Sequence, residues 1–116
     1  MLGTSGKSTK TPLDDLILVE TTIGTPEEAR RLARALIEER LAACVQISQI
    51  TSHYMWQDRE QEETEYRLRL KTRASLWPQI EKFIQQAHPY EVPQLVFYNL
   101  SGASADYRAW VYEQTR

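Results

Sequence analysis

The sequence has one cysteine, Cys44, two histidines, His53 and His88, and only four glycines in 116 residues. A single thiol cannot close an intramolecular disulfide, so stability must come from packing and the chain suits a reducing compartment. The same count excludes a CxxC pair or a zinc knuckle. Unbroken apolar runs are short, Leu16 to Val19 among them, far below the ~18 residues that span a bilayer. No membrane partner is predicted. No apolar stretch follows the first lysines, which predicts no secretory signal. An excess of positive charge is also missing: 14 basic against 16 acidic residues give a net charge of −2. Broad binding to nucleic acid needs a net positive face, so none is predicted. Gly24 alone does not make a phosphate loop, and no Ser/His/Asp set or catalytic carboxylate pair can be placed, so the chain reads as not an enzyme.

What is present is a chain of one-domain length, 41% hydrophobic, enough to line one core. Residues 1–13 are mostly Gly, Ser, Thr and Lys. They cannot bury enough surface to offset their ordering entropy, which predicts a disordered tail ahead of a domain over 14–116. Leu16 to Ile23 is short and β-branched, as a strand buried on both faces would be. Thr25-Pro26-Glu27-Glu28 combines a cap, a proline for the first helical position and a residue to close a capping box. Ala29, Leu32, Ala33, Leu36 and Ile37 then recur at helical spacing.

From Ala42 to Trp56 the apolar period is two, with Val45 and Ile47 on one parity and Ile50, Tyr54 and Trp56 on the other. That switch predicts a β-bulge between Ile47 and Ile50. Gln57 to Glu60 has turn character, and a return strand alternates through Tyr66, Leu68, Leu70 and Thr72. A second helix is expected from about Ser75, with Pro78 in its first turn and Leu76, Ile80, Phe83, Ile84 and Ala87 as its stripe; His88-Pro89 ends it. A fourth strand is expected over Val92 to Leu100, then a helix from Ser104 to Gln114 with Tyr107, Trp110 and Val111 facing in. The order βαββαβα predicts an α+β fold. It is a ferredoxin-like βαββαβ sandwich with an extra C-terminal helix, whose four-stranded antiparallel sheet carries two helices on one face. An open apolar sheet face and overlong hairpin arms predict self-association.

Four short segments then stand in one order: Leu41-Ala42-Ala43-Cys44-Val45, Tyr54-Met55-Trp56, Leu70-Lys71-Thr72 and His88-Pro89-Tyr90-Glu91-Val92-Pro93. Together they make the chain resemble the CutA family of divalent-cation tolerance proteins, from about Leu16 to the C-terminus. The resemblance implies a ferredoxin-like subunit, a very stable homotrimer, a cytoplasmic location in bacteria and a role in tolerance of, or signalling by, copper and other divalent metals. It attaches no enzymatic reaction. This chain departs from the family pattern at Pro93-Gln94, where Pro-Glu is common. Copper-linked members carry a first-strand cysteine and a histidine pair, where this chain has Thr21 and Thr22, and Ala87-His88. These departures imply a divalent metal ion such as Cu2+ that is bound weakly.

The candidate metal ligands are His88 and Cys44. Both have structural alternatives, a helix cap for His88 and a small buried strand residue for Cys44. His53 reads as solvent-facing. The acidic run Asp58, Glu60, Glu62, Glu63 and Glu65 reads as a solvated hairpin tip, against a weak oxygen site for hard ions. Tyr54, Trp56, Lys71, Tyr90 and Glu91 are the candidates for a cleft between subunits. The leading function is a non-enzymatic homotrimer in metal tolerance. The alternative is a trimeric small-molecule sensor of the ACT or nitrogen-regulatory type, with ligand sites between subunits. An RNA-binding reading fails because the third strand lacks glycine and carries one aromatic.

Overall fold

The computed structural model describes residues 14–116; the expected tail over 1–13 lies outside the described residues. The elements are β1 (Leu16–Ile23), α1 (Pro26–Glu38), β2 (Cys44–Trp56), β3 (Arg59–Arg73), α2 (Trp77–Ala87) after a 3-10 turn at Ala74–Leu76, β4 (Leu95–Asn99) and α3 (Ala105–Gln114). The four strands form one sheet in the order β2-β3-β1-β4, and all three pairings are antiparallel. This is the α+β arrangement expected from the order of periodic segments.

The apolar stretch Leu16–Ile23 becomes the inner strand, and all eight of its residues are buried. On one face Ile17, Val19 and Ile23 join Leu68 and Leu70 of β3, Ala29, Leu32 and Leu36 of α1 and Ile80 and Ile84 of α2 in the main core. Truncating Leu36, Leu70 or Ile80 to alanine there would cost about 2–5 kcal/mol. Helix α1 starts as its sequence requires. The Thr25 hydroxyl accepts from the Glu28 amide at 3.1 Å and donates to the Glu28 carboxylate at 3.0 Å. Pro26 occupies the first turn, where its missing N–H leaves nothing unpaired.

Five details differ from the sequence reading. The expected bulge is absent: β2 pairs residue for residue with β3 from Cys44↔Lys71 to Trp56↔Arg59. The apolar parity switches because the covering layer changes. Val45 lies opposite Leu70 on the helix side, whereas Ile50, Tyr54 and Trp56 point to the other face, beyond the end of β1. The second sheet face is apolar and exposed only toward its β4 edge, at Val96 and Tyr98. It carries Arg67, Arg69, Lys71 and Arg73 in a row along β3, beside Leu16, Leu18, Glu20 and Thr22 of β1. Those four β1 residues are at most 8% exposed, sheltered by long basic stems and by α3. There the Arg73 guanidinium lies 5.4 Å from the Tyr112 ring centroid. The other corrections are smaller. Strand β4 starts only at Leu95, after Pro93, which cannot donate to the ladder. Ala87 is exposed at the end of α2. Trp110 is 40% exposed although its neighbour Val111 is fully buried, because α3 meets the sheet along one narrow stripe.

Candidate functional site

The hairpin arms outrun the rest of the sheet. Strand β1 ends opposite Tyr66, so Ile50–Trp56 and Arg59–Glu65 continue as a two-stranded ribbon of roughly 20 Å. The segment between α2 and β4 folds back against the root of this ribbon. Between them lies a cleft of about 650 Å³, lined in part by Tyr54, Trp56, Glu63, Glu65, Tyr90 and Glu91. The fold therefore brings together four of the five residues expected at a cleft.

Two hydroxyl–carboxylate pairs set its geometry. Tyr54 Oη donates to Glu63 Oε1 at 2.6 Å, and Tyr90 Oη donates to Glu65 Oε2 at 2.8 Å. The bond to Glu63, then desolvation and the nearby carboxylate charges, push the Tyr54 phenol up to about 12. Burial, and then the bond to Glu65, push the Tyr90 phenol up further. Tyr90 reaches Glu65 because Gly24 is bare: a Cβ there would lie 3.3 Å from the phenol oxygen.

Lys71 is not part of this cleft within one subunit. It lies six residues along β3 from Glu65, on the order of 20 Å away, and its Nζ donates to Gln46 Oε1 at 3.0 Å. Conversely, Glu63 and Glu65 line the cleft although composition alone made them part of a solvated tip. The two-residue turn was the signal for them. Once Trp56 pairs with Arg59, Ser52 must sit opposite Glu63 and Ile50 opposite Glu65.

His88 sits behind the cleft, 8% exposed. Its Nδ1 accepts from the Tyr90 amide at 3.1 Å, which leaves Nε2 as the protonated nitrogen, and Nε2 donates to the Thr22 carbonyl at 2.7 Å. Both ring nitrogens are thus used inside the subunit, tying the α2–β4 segment to β1. The ring also meets Tyr90 edge-on at 4.7 Å between centroids. Cys44 lies at the other end of the sheet. It is half-buried, level with Leu18 rather than Thr22, and it faces Tyr107 of α3, whose phenol is pushed up by burial and secondarily by the Cys44 thiolate. His88 and Cys44 therefore do not converge within one subunit. Among the described residues no three His, Cys, Asp or Glu side chains are grouped to hold a metal ion, and no helix is long and apolar enough to cross a membrane.

The family model described as CutA1 divalent ion tolerance protein matches residues 17–114. The chain is 43% identical over 93 residues to the probable divalent-cation tolerance protein cutA homolog of Encephalitozoon cuniculi, covering 80% of this chain and 82% of that one. It is 33% identical over 101 residues to the divalent-cation tolerance protein CutA of Pyrococcus horikoshii, covering 87% and 99%. The crystal structure of CutA1 from Oryza sativa matches with a TM-score of 0.85 at 35% identity, over 88% of this chain and 94% of that one.

Proposed function

Because this chain belongs to the CutA1 divalent ion tolerance family, we propose that it serves divalent-cation tolerance as a non-enzymatic homotrimer of the cytoplasm that takes Cu2+ weakly. The observation that carries the reading is the pair of unpaired sheet edges. Strand β2 and its ribbon expose Ile47 and Met55, and β4 exposes Val96, Phe97 and Tyr98, each 40–62% accessible. Open edges with large apolar side chains call for pairing with another copy. On the second sheet face the buried Nε donors of Arg67 and Arg73 have no hydrogen-bond partner among the described residues, and a neighbouring copy can supply acceptors.

The donor set supports weak rather than tight metal capture. A soft divalent ion wants several thiolate or imidazole ligands at ~2.0–2.3 Å. One subunit offers the half-buried Cys44 thiol, while the His88 ring is committed to Thr22 and Tyr90. Any further ligand to an ion at Cys44 comes from a neighbouring copy. The free thiol also fits a reducing cytoplasm.

Titrating Cu(II) into the full chain by calorimetry at neutral pH, with Cys44→Ser and His88→Ala beside it, tests the metal reading. Weak heats that fall in Cys44→Ser and persist in His88→Ala support it. Negligible heats for all three proteins remove direct metal binding. Sedimentation velocity tests the assembly, and a single chain at micromolar concentration contradicts the trimer.

A further inference from the structure

The cleft at the root of the ribbon combines two features. Its walls are aromatic, from Tyr54, Trp56 and Tyr90. Its charge is acidic, from Glu63, Glu65 and Glu91, and no lysine or arginine lines it. Glu65 is only 6% exposed, and it enters no ion pair among the described residues. Tyr90 satisfies its Oε2, while Oε1 has no hydrogen-bond partner among those residues. With Glu63 and Glu91 beside it and no basic side chain in the lining, this wall favours a cation over an anion.

Two kinds of cation could bind there, and the lining separates them. A bare metal ion needs several oxygen or nitrogen ligands converging at ~2.0–2.6 Å, and no such group exists here among the described residues. Aromatic faces add nothing to a strongly hydrated metal. They do attract an alkylammonium within ~6 Å of the ring centroid, where its apolar shell also packs. We propose that this cleft binds a small organic ammonium ion, held by the faces of Tyr54, Trp56 and Tyr90 and balanced by Glu63, Glu65 and Glu91.

Its volume of about 650 Å³ falls in the ~300–1,000 Å³ range of small-molecule sites. The hydroxyl bonds to Glu63 and Glu65 hold two of the aromatic side chains in place at the cleft wall. This inference does not depend on the metal reading, because Cys44 lies at the far end of the sheet.

The test is an NMR titration of the full chain with tetramethylammonium chloride, following the Trp56 indole N–H, identified by its loss in Trp56→Ala. Sodium chloride at equal ionic strength serves as the blank. The expected result is a saturable shift with tetramethylammonium and affinity about tenfold lower for tert-butanol, its uncharged near-isostere. Affinity followed at the remaining cleft signals should fall by about tenfold in Trp56→Ala and in Glu65→Gln, and stay unchanged in Cys44→Ser. Trp56 is 41% exposed, so its truncation leaves the core intact; unmoved Trp77 and Trp110 indole signals verify this. Equal affinity for tert-butanol would make the cleft merely apolar. No saturable shift with either tetramethylammonium or butylammonium would overturn the proposal. So would saturation by Mg2+ at these residues with no dependence on Trp56.

Discussion

Arg40 occupies a position where most helices use glycine. Its φ is 59°, in the left-handed region that is strained for a side-chain-bearing residue by ~1–2 kcal/mol. The surrounding hydrogen bonds form a Schellman ending for α1: Leu41 N–H reaches the Leu36 carbonyl and Arg40 N–H the Ile37 carbonyl, both at 3.0 Å. Leu36 and Leu41 are both buried, as that motif favours. The arginine is kept because its guanidinium caps another helix, donating to the carbonyls of Glu113 and Gln114 at the end of α3. Arg40→Ala loses those bonds and keeps the strain, whereas Arg40→Gly loses the bonds and relieves the strain. Urea unfolding should therefore rank wild type above Arg40→Ala, with Arg40→Gly more stable than Arg40→Ala by about 1 kcal/mol. The reverse order of the two variants would remove the strain argument. Tyr54 and Tyr90 carry a second prediction. Both phenols titrate above their ordinary value, so between pH ~10 and ~12 the unfolded chain loses protons that the folded chain keeps. Their contribution is fully present at neutral pH and is lost as pH rises through that window. Phenolate absorbance should show some of the six tyrosines titrating late, and Tyr54→Phe should remove one of the late steps. A single shared midpoint near 10 for all six would contradict the hydroxyl–carboxylate pairs.

Strands and helices were legible because their periods are unambiguous wherever one face is buried. Leu32 and Leu36 of α1, or Leu68 and Leu70 of β3, have a single way to reach the core. The reading failed where a pattern had two physical causes. The parity switch between Ile47 and Ile50 can mean an inserted residue or a change in the covering layer, and sequence alone does not separate them. The continuous ladder shows the second. The site followed the same logic: Tyr54, Trp56, Tyr90 and Glu91 were recognisable as amphipathic residues at element ends. Lys71 lies outside the cleft of one subunit, and the cleft positions of Glu63 and Glu65 depend on a register that only the turn defines. That turn is itself strained. Gln57 and Asp58 have φ values of 53° and 64°, the two left-handed central residues of a type I′ hairpin, where Asn-Gly is preferred. Gln57→Asn combined with Asp58→Gly should stabilise the fold by about 1 kcal/mol. Guanidinium unfolding midpoints at one fixed protein concentration measure this, and no gain would mean that the assembled ribbon, not the turn, sets its stability.

The ribbon beyond β1 favours the proposed self-association. Seven residues on each arm, Ile50–Trp56 and Arg59–Glu65, pair only with each other, and an isolated two-stranded hairpin is marginal in water. At the opposite edge, β4 offers only five residues but presents Val96 and Tyr98 on the second sheet face and Phe97 on the helix face, where it meets Trp77 at 4.7 Å. A strand so short gains little from its own ladder. Its apolar exposure makes sense when a neighbouring β2 or ribbon covers it. Val96 is the informative position, being 42% exposed and apart from the Trp77–Phe97 contact. A lysine there leaves the subunit core untouched but places a charge on the edge, the device that natural sheets use to block pairing. Val96→Lys should therefore shift sedimentation from the assembled toward the single-chain species while far-ultraviolet circular dichroism stays the same. If Val96→Lys assembles as tightly as wild type at micromolar concentration, β4 is not the contact edge, and assembly must run through the ribbon and the basic row of β3 instead.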